Sequence, residues 1–319
     1  MKKLTVAVLL STAAISQTSP KATPKPTDSV LEKKTVFAVY GRGFGMAPIL
    51  GHLGTYKDID AMAADLKTRV PGIATRSGRD VIPALDLVYS MAVPCKGTAK
   101  CLEYLDQGTI DVAAKYIKAA ASRGWLVILD TQLGNSDPVT EVKRMIDKGY
   151  LKYDNVHVAI DPEFHLVPGH SDPGIPIGTV TAAQINDVQE LLDRYVRSEG
   201  LKTRRILIVH QFGDAAVHDG VPYMISNKKA LKQFHNVDLV IDADGLGGPA
   251  EKIRKYNLMT DNITYPAVHF GGIKVFYPNP WEHAGHYDKP PLSLDQVFGL
   301  TALPGGLRIK SKPNVFIIA

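Results

Sequence analysis

The 319-residue chain has only two cysteines, and it lacks the marks of several functional classes. Two cysteines without a suitably spaced histidine pair make a poor zinc site. No basic stripe interleaved with aromatic residues runs along it, so no nucleic-acid partner is expected. The apolar run at residues 4–15 is too short to be a stable membrane anchor, since spanning a bilayer takes roughly 20 residues. A lipid anchor would need a cysteine near the start, and there is none. Past residue 34 there is no second linker, repeat or low-complexity run, so one domain is expected.

The residues that are present describe an exported protein. Lys2 and Lys3 precede the apolar run, and Ala14-Ile15-Ser16 offers a small-x-small cleavage site. Residues 1–16 are therefore expected to be a signal peptide, with the protein secreted, extracellular or in the cell envelope. Residues 17–34, rich in Pro, Thr, Ser and Lys, read as a disordered tether. Several of the charges behind the net +5 lie in these first 34 residues, which leaves the domain at 35–319 closer to neutral. Cys95 and Cys101 share one loop and are expected to form a disulfide in an oxidising compartment; two free thiols are the alternative.

Within the domain, short β-branched runs alternate with helical stretches, the pattern of parallel βα units. Strands are expected at 36–42, 82–89, 125–132, 156–163, 205–211, 237–244, 272–277 and 314–318. Between them helical stretches are expected, such as 110–122, 140–148, 182–198, 227–234 and 249–256, with Pro249 suited to the first position of its helix. Eight such strands predict an α/β fold, a single (β/α)8 TIM barrel, and about 250 residues suffice for one. An open dinucleotide-binding sheet is the second choice. Against it, Gly41-Arg42-Gly43-Phe44-Gly45 lacks the required spacing and a helix directly behind it.

Active sites of such barrels lie at the C-terminal ends of the strands, and polar residues collect there. Alternation along each strand sends Asp86, Asp130, Gln132, Asp161, Glu163, Asp242 and Asp244 to the lumen. A single strand-end Asp is more often a helix cap or a loop staple than a catalyst, which is the reading for Asp80 and Asp137. Carboxylates from four strands aimed at one mouth are harder to dismiss, because they raise one another's pKa values. Arg42, His210 and Lys274 offer compensating charge. Glu163 is expected to be a general acid, kept protonated by its neighbour Asp161, with Asp242 or Asp244 as the opposing carboxylate. Tyr40, Arg42, Asp86, Asp130, Gln132, His210, Gln211, Lys274 and Tyr277 are expected to bind substrate. Tyr40, Phe44, Tyr89, Phe164, Phe212, Tyr277 and Trp281 fall at or just past strand ends, where sugar rings stack; about half of such aromatics pack structurally instead.

The segments IDPEFHLVPG, PIGTVTAAQIND, ILIVHQF, VIDADGLGGPAEKIRKY and GGIKVFY resemble a family of exported bacterial proteins and lipoproteins. That family carries DPEW, VHQF and DG-x-G motifs, and the likeness covers most of residues 36–319. It implies a barrel and export and leaves the reaction open. Phe164 stands where the family prefers Trp, and the chain ends NVFIIA where Tyr-Gln is usual. Asp161-x-Glu163 is also similar to the D-x-E of family 25 glycoside hydrolases, lysozyme-like barrels. This likeness implies Glu163 as the acid and Asp161 as its partner, although the early Asp of those enzymes is replaced here by Gly41-Arg42.

The function expected from these residues is that of a glycosidase-like hydrolase acting on a cell-wall or extracellular polysaccharide without a cofactor. Two alternatives remain. One is a metal-dependent hydrolase of phosphodiesterase type, with Mg²⁺ or Ca²⁺ on Asp130, Asp161, Glu163 and Asp242. The other is a non-catalytic glycan-binding surface protein.

Overall fold

A computed structural model describes residues 27–46, 51–95, 101–107, 110–213, 224–278 and 285–319. The expected signal peptide at 1–16, the tether over 17–26 and Trp281 lie outside them. Eight parallel strands form a closed ring: β1 (Lys34–Gly41), β2 (Asp80–Ala92), β3 (Leu126–Gly134), β4 (Val156–His165), β5 (Arg205–Gln211), β6 (Val237–Ala243), β7 (Phe270–Val275) and β8 (Val315–Ile318). Each strand pairs with the next, and β8 returns to β1. The fold is a (β/α)8 barrel.

Helices α1 (Ile59–Ser77), α2 (Val112–Ala121), α3 (Pro138–Asp147), α4 (Ala182–Glu199) and α5 (Pro249–Met259) lie between the strands. Asp58, Asp111, Asp137 and Thr181 cap four of them by accepting backbone N–H groups of the first turn. Pro249 opens the fifth. Among the described residues no helix is long and apolar enough to cross a membrane.

Period-two alternation divides the strands' apolar residues into two layers. Phe37, Val39, Leu85, Leu87, Val127, Leu129, Val158 and Ile160 pack outward against the helices. Val36, Ala38, Ala84, Leu126, Ile128, Ala159, Ile206, Ile208, Val240, Val315 and Ile317 fill the lumen. Register then fixes what stands above this apolar plug. Tyr40 lies beside Asp86, Val88 beside Asp130, Gln132 beside Asp161, and His210 beside Asp242. Shifts of register in the β2–β3 and β3–β4 pairings fall close to that mouth, where bulges often re-aim side chains.

Three expectations need correction. The tether does not run to residue 34: Ser29 caps a helical turn at Val30–Lys33, and Leu31 is fully buried with the lumen cluster. The helix expected at 227–234 is a single 3-10 turn, Lys228–Ala230. Asn227 enters it with a left-handed backbone and Leu231 leaves it extended, while buried Lys228 donates to Gln211 Oε1 and the Met259 carbonyl. Helix α1, the longest among the described residues, was not named among the expected helices, because Pro71 interrupts its pattern and its buried residues Met62, Leu66, Ile73 and Ser77 are sparse.

Leu31→Ala is expected to cost about 2–5 kcal/mol, the usual range for a buried leucine. Urea unfolding of the variant measures it; a loss within experimental error would show that the segment before β1 is not part of the folded unit.

Candidate active site

The upper lumen gathers charged side chains from six strands. Asp86 comes from β2, Asp130 from β3, Asp161 from β4, His210 from β5, and Asp242 from β6, with Asp244 one residue past the end of β6. Lys274 comes from β7, and all seven are buried. Glu163, two residues beyond Asp161, is half-buried nearer the rim. Directly below them lies an apolar layer that includes Ile128, Ala159, Ile208 and Val240, while the buried polar groups deeper in the lumen, His157 and Asp238, are bonded to the Ile206 N–H and to Ser29.

Lys274 and His210 organise the cluster. The Lys274 ammonium donates to Asp244 Oδ2 at 2.7 Å and sits 3.9 Å above the centre of the Tyr40 ring. His210 Nδ1 bonds Asp242 Oδ2 at 2.9 Å and lies 3.4 Å from Asp244 Oδ2. Asp244 Oδ1 accepts the Gly245 N–H at 2.6 Å. Gly272 makes room for this arrangement, because a Cβ there would come within 2.8 Å of Asp242 Oδ1. Behind β7, buried Lys252 donates to the Lys274 carbonyl at 2.7 Å and pairs with buried Asp288 at 3.2 Å. Asp288 in turn accepts the N–H groups of Gly247 and Phe276. This second ion pair fixes the ends of β6 and β7 together, and the sequence carries no signal for it, since Asp288 lies in an irregular loop.

Protonation follows from burial and from the shortage of positive charge. Burial, then the neighbouring Asp130, raises Asp86 to about 8. Burial and Asp130 likewise hold Asp161 well above the usual carboxylate range. Glu163 is raised to about 7, first by burial and then by the charge of Asp244. Asp244 moves the opposite way: burial works against its charge, but Lys274 and His210 outweigh it and keep the group ionised. His210 is likewise disfavoured as a cation by burial and Lys274, and Asp130 and Asp242 outweigh both.

Several expected substrate ligands are committed elsewhere. The Arg42 guanidinium donates to the carbonyls of Val88, Tyr89 and Glu103, stapling the end of β2 to its antiparallel extension at Leu102–Tyr104. Gln211 follows the inward-facing His210 and so points out of the lumen, where it accepts from Lys228 at 2.6 Å. Tyr277 lies three residues after Lys274, faces the outer layer and donates to the Leu292 carbonyl. Gln132 keeps its lumen side but spends its carbonyl on the Ala92 N–H. Tyr89 packs outward against Tyr104 and Tyr150. Asp161 bonds the backbone N–H of Glu163 rather than its carboxyl group, and Asp244, not Asp161, is the charge that raises Glu163 most.

The segment after β4 closes one side of the mouth. Gly178 donates to the Glu163 carbonyl at 2.8 Å, and a Cβ at Gly178 would collide with the backbone of Pro162 and His165. Cys95 and Cys101 are bonded to each other, and the Cys95 N–H donates to the Ser171 carbonyl, linking the loops after β2 and β4. Among the described residues, two sets of metal-capable atoms lie within 4.8 Å of one another: Asp86–Asp130–His210 and His210–Asp242–Asp244. Comparison with protein-family models, curated proteins and solved structures gives no match.

Lys274→Met is expected to destabilise the fold by about 3–5 kcal/mol, because it strands Asp244 as an uncompensated buried charge. Adding Asp244→Asn should recover most of that loss. Denaturant unfolding of both variants checks the coupling; equal stabilities for the single and double variants would contradict it.

Proposed function

We propose that this protein is an exported hydrolase of glycosidase type that cleaves a cell-wall or extracellular polysaccharide by carboxylate acid/base chemistry. One observation carries the reading: two neighbouring carboxyl groups at the mouth are driven to opposite protonation states. Glu163 is held up to about 7 by burial and by Asp244, while Asp244 is fixed as an anion by the Lys274 ammonium at 2.7 Å. Groups pushed apart in this way are suited to act as acid and base in one site.

Glu163, half-buried at the rim, donates its proton to the leaving glycosidic oxygen. Asp244 faces the positive charge that develops on the sugar ring as that bond breaks. Asp242 is spent on orienting His210. Phe164 and Phe212, partly exposed just past the Asp161-x-Glu163 and His210 positions, offer faces for sugar rings. Export is supported by the signal-like start of the sequence and by the Cys95–Cys101 bond, since disulfides persist in oxidising compartments.

The test is incubation of the purified protein with peptidoglycan and a panel of soluble polysaccharides, reading released reducing ends. Glu163→Gln is expected to lower kcat by about 10²–10⁴-fold, the usual worth of a general acid. In the wild type, kcat/KM should fall as pH rises through about 7, where Glu163 loses its proton. Release that persists in Glu163→Gln would overturn the assignment of the acid. No release from any substrate would point instead to a non-catalytic glycan-binding protein.

The same shift affects stability. The folded state binds the Glu163 proton more tightly than the unfolded chain, so this contribution is present below the ordinary value of 4.5 and is lost as pH rises to about 7. Glu163→Gln should flatten the dependence of Tm on pH across that window; an unchanged slope would show that Glu163 titrates normally.

A further inference from the structure

We propose that the barrel lumen binds one divalent transition-metal ion, with zinc the best match, through the carboxylates of Asp86 and Asp130 and Nε2 of His210. Both oxygens of Asp86, both oxygens of Asp130 and Nε2 of His210 are completely buried and have no hydrogen-bond partner. Buried polar atoms are nearly always satisfied, so five unsatisfied ones on three adjoining side chains call for a shared partner. A ligand atom from each of the three lies within 4.8 Å of the others. His210 Nε2 and Asp130 Oδ2 are 3.3 Å apart, an ion-pair contact that lacks hydrogen-bond geometry. Two donors on one tetrahedral ion at about 2.1 Å each would stand about 3.4 Å apart.

The far side of the imidazole supports the same assignment. Nδ1 is hydrogen-bonded to Asp242 Oδ2 at 2.9 Å. With the proton on Nδ1, the lone pair of Nε2 points toward Asp86 and Asp130. A carboxylate behind a metal-binding histidine is a common arrangement, and it sets both tautomer and ring orientation. The bound cation takes the place of a proton on Nε2 and balances the two carboxylates.

The other grouping, His210 with Asp242 and Asp244, is a poor cation site. Its histidine nitrogen is already spent on Asp242, and the Lys274 ammonium lies 2.7 Å from Asp244 Oδ2. An imidazole ligand together with only two carboxylates suits zinc better than magnesium or calcium, which favour shells of oxygen donors. Three protein ligands leave a fourth position open to water or substrate. The site takes neither Glu163 nor Asp244 as a ligand, so metal uptake tests it separately from the acid/base reading, even though His210 also neighbours Asp244.

The experiment is calorimetric titration of the purified, chelator-stripped full chain with Zn²⁺, and titration with Co²⁺ read by visible absorption. One Zn²⁺ per chain and a cobalt ligand-field band are expected. Asp86→Asn and His210→Gln should abolish both signals, and Asp242→Asn should weaken the affinity about 10–100-fold. Glu163→Gln should bind like the wild type. Should the lumen variants fail to fold, proton NMR of the cobalt-loaded wild type keeps the test open. A single hyperfine-shifted exchangeable histidine N–H, absent in D₂O, is expected from Nδ1 of His210. No stoichiometric uptake by the wild type, uptake that survives His210→Gln, or loaded protein without that resonance would each overturn the proposal.

Discussion

The rest of the site depends on one electrostatic constraint. Five buried carboxyl groups, Asp86, Asp130, Asp161, Asp242 and Asp244, share the upper lumen with two basic side chains, Lys274 and His210. Directly beneath them lies an apolar layer, and burial keeps water from making up the shortage of positive charge. Lys274 and His210 fix Asp244 as an anion. Asp86 and Asp161 meet the deficit by holding their protons. Glu163, nearer the rim, is left poised at about 7 by the charge of Asp244. The proposed acid/base pair and the proposed cation site both follow from that imbalance. The first uses the split between Glu163 and Asp244; the second uses the unsatisfied atoms on the opposite side of His210.

The barrel delivers this arrangement through register and alternation rather than through loops. Inward positions of neighbouring strands lie side by side, so His210 meets Asp242 across the β5–β6 pairing. Gly272 on β7 leaves space for the Asp242 carboxylate, and Lys274, two residues later, meets Asp244. Side chains held by strands are more rigid than those on loops, which suits a site whose charges must keep fixed neighbours. The Lys252–Asp288 pair behind β7 gives the ends of β6 and β7 a second anchor.

Much of this was legible in the sequence because the strands are regular. Apolar residues at every second position in 156–160 and 237–241 assign Asp161, Asp242 and Asp244 to the lumen, and the structure places them there. The same rule, applied to every residue at a strand end, would have turned Gln211 and Tyr277 outward; grouping them with the mouth overlooked it. Arg42 was not predictable in this way, because its role depends on carbonyls some 46 to 61 residues away in the chain. Helix α1 was hidden by Pro71, and the ordered turn at Val30–Lys33 by the low-complexity composition just before it. The choice between Asp242 and Asp244 as the carboxylate opposite Glu163 was also out of reach, since the pairings of Asp242 with His210 and of Asp244 with Lys274 arise only when the ring closes.

The central claim is that Glu163 is a neutral acid at the barrel mouth near neutral pH, and its ionisation can be observed directly. Carbon-13 NMR of protein labelled at glutamate side-chain carboxyls, with Glu163→Gln to assign the resonance, would follow the titration of this one group. The account predicts a midpoint at about 7. A midpoint at the ordinary 4.5 would contradict it and leave the mouth without an acid to donate.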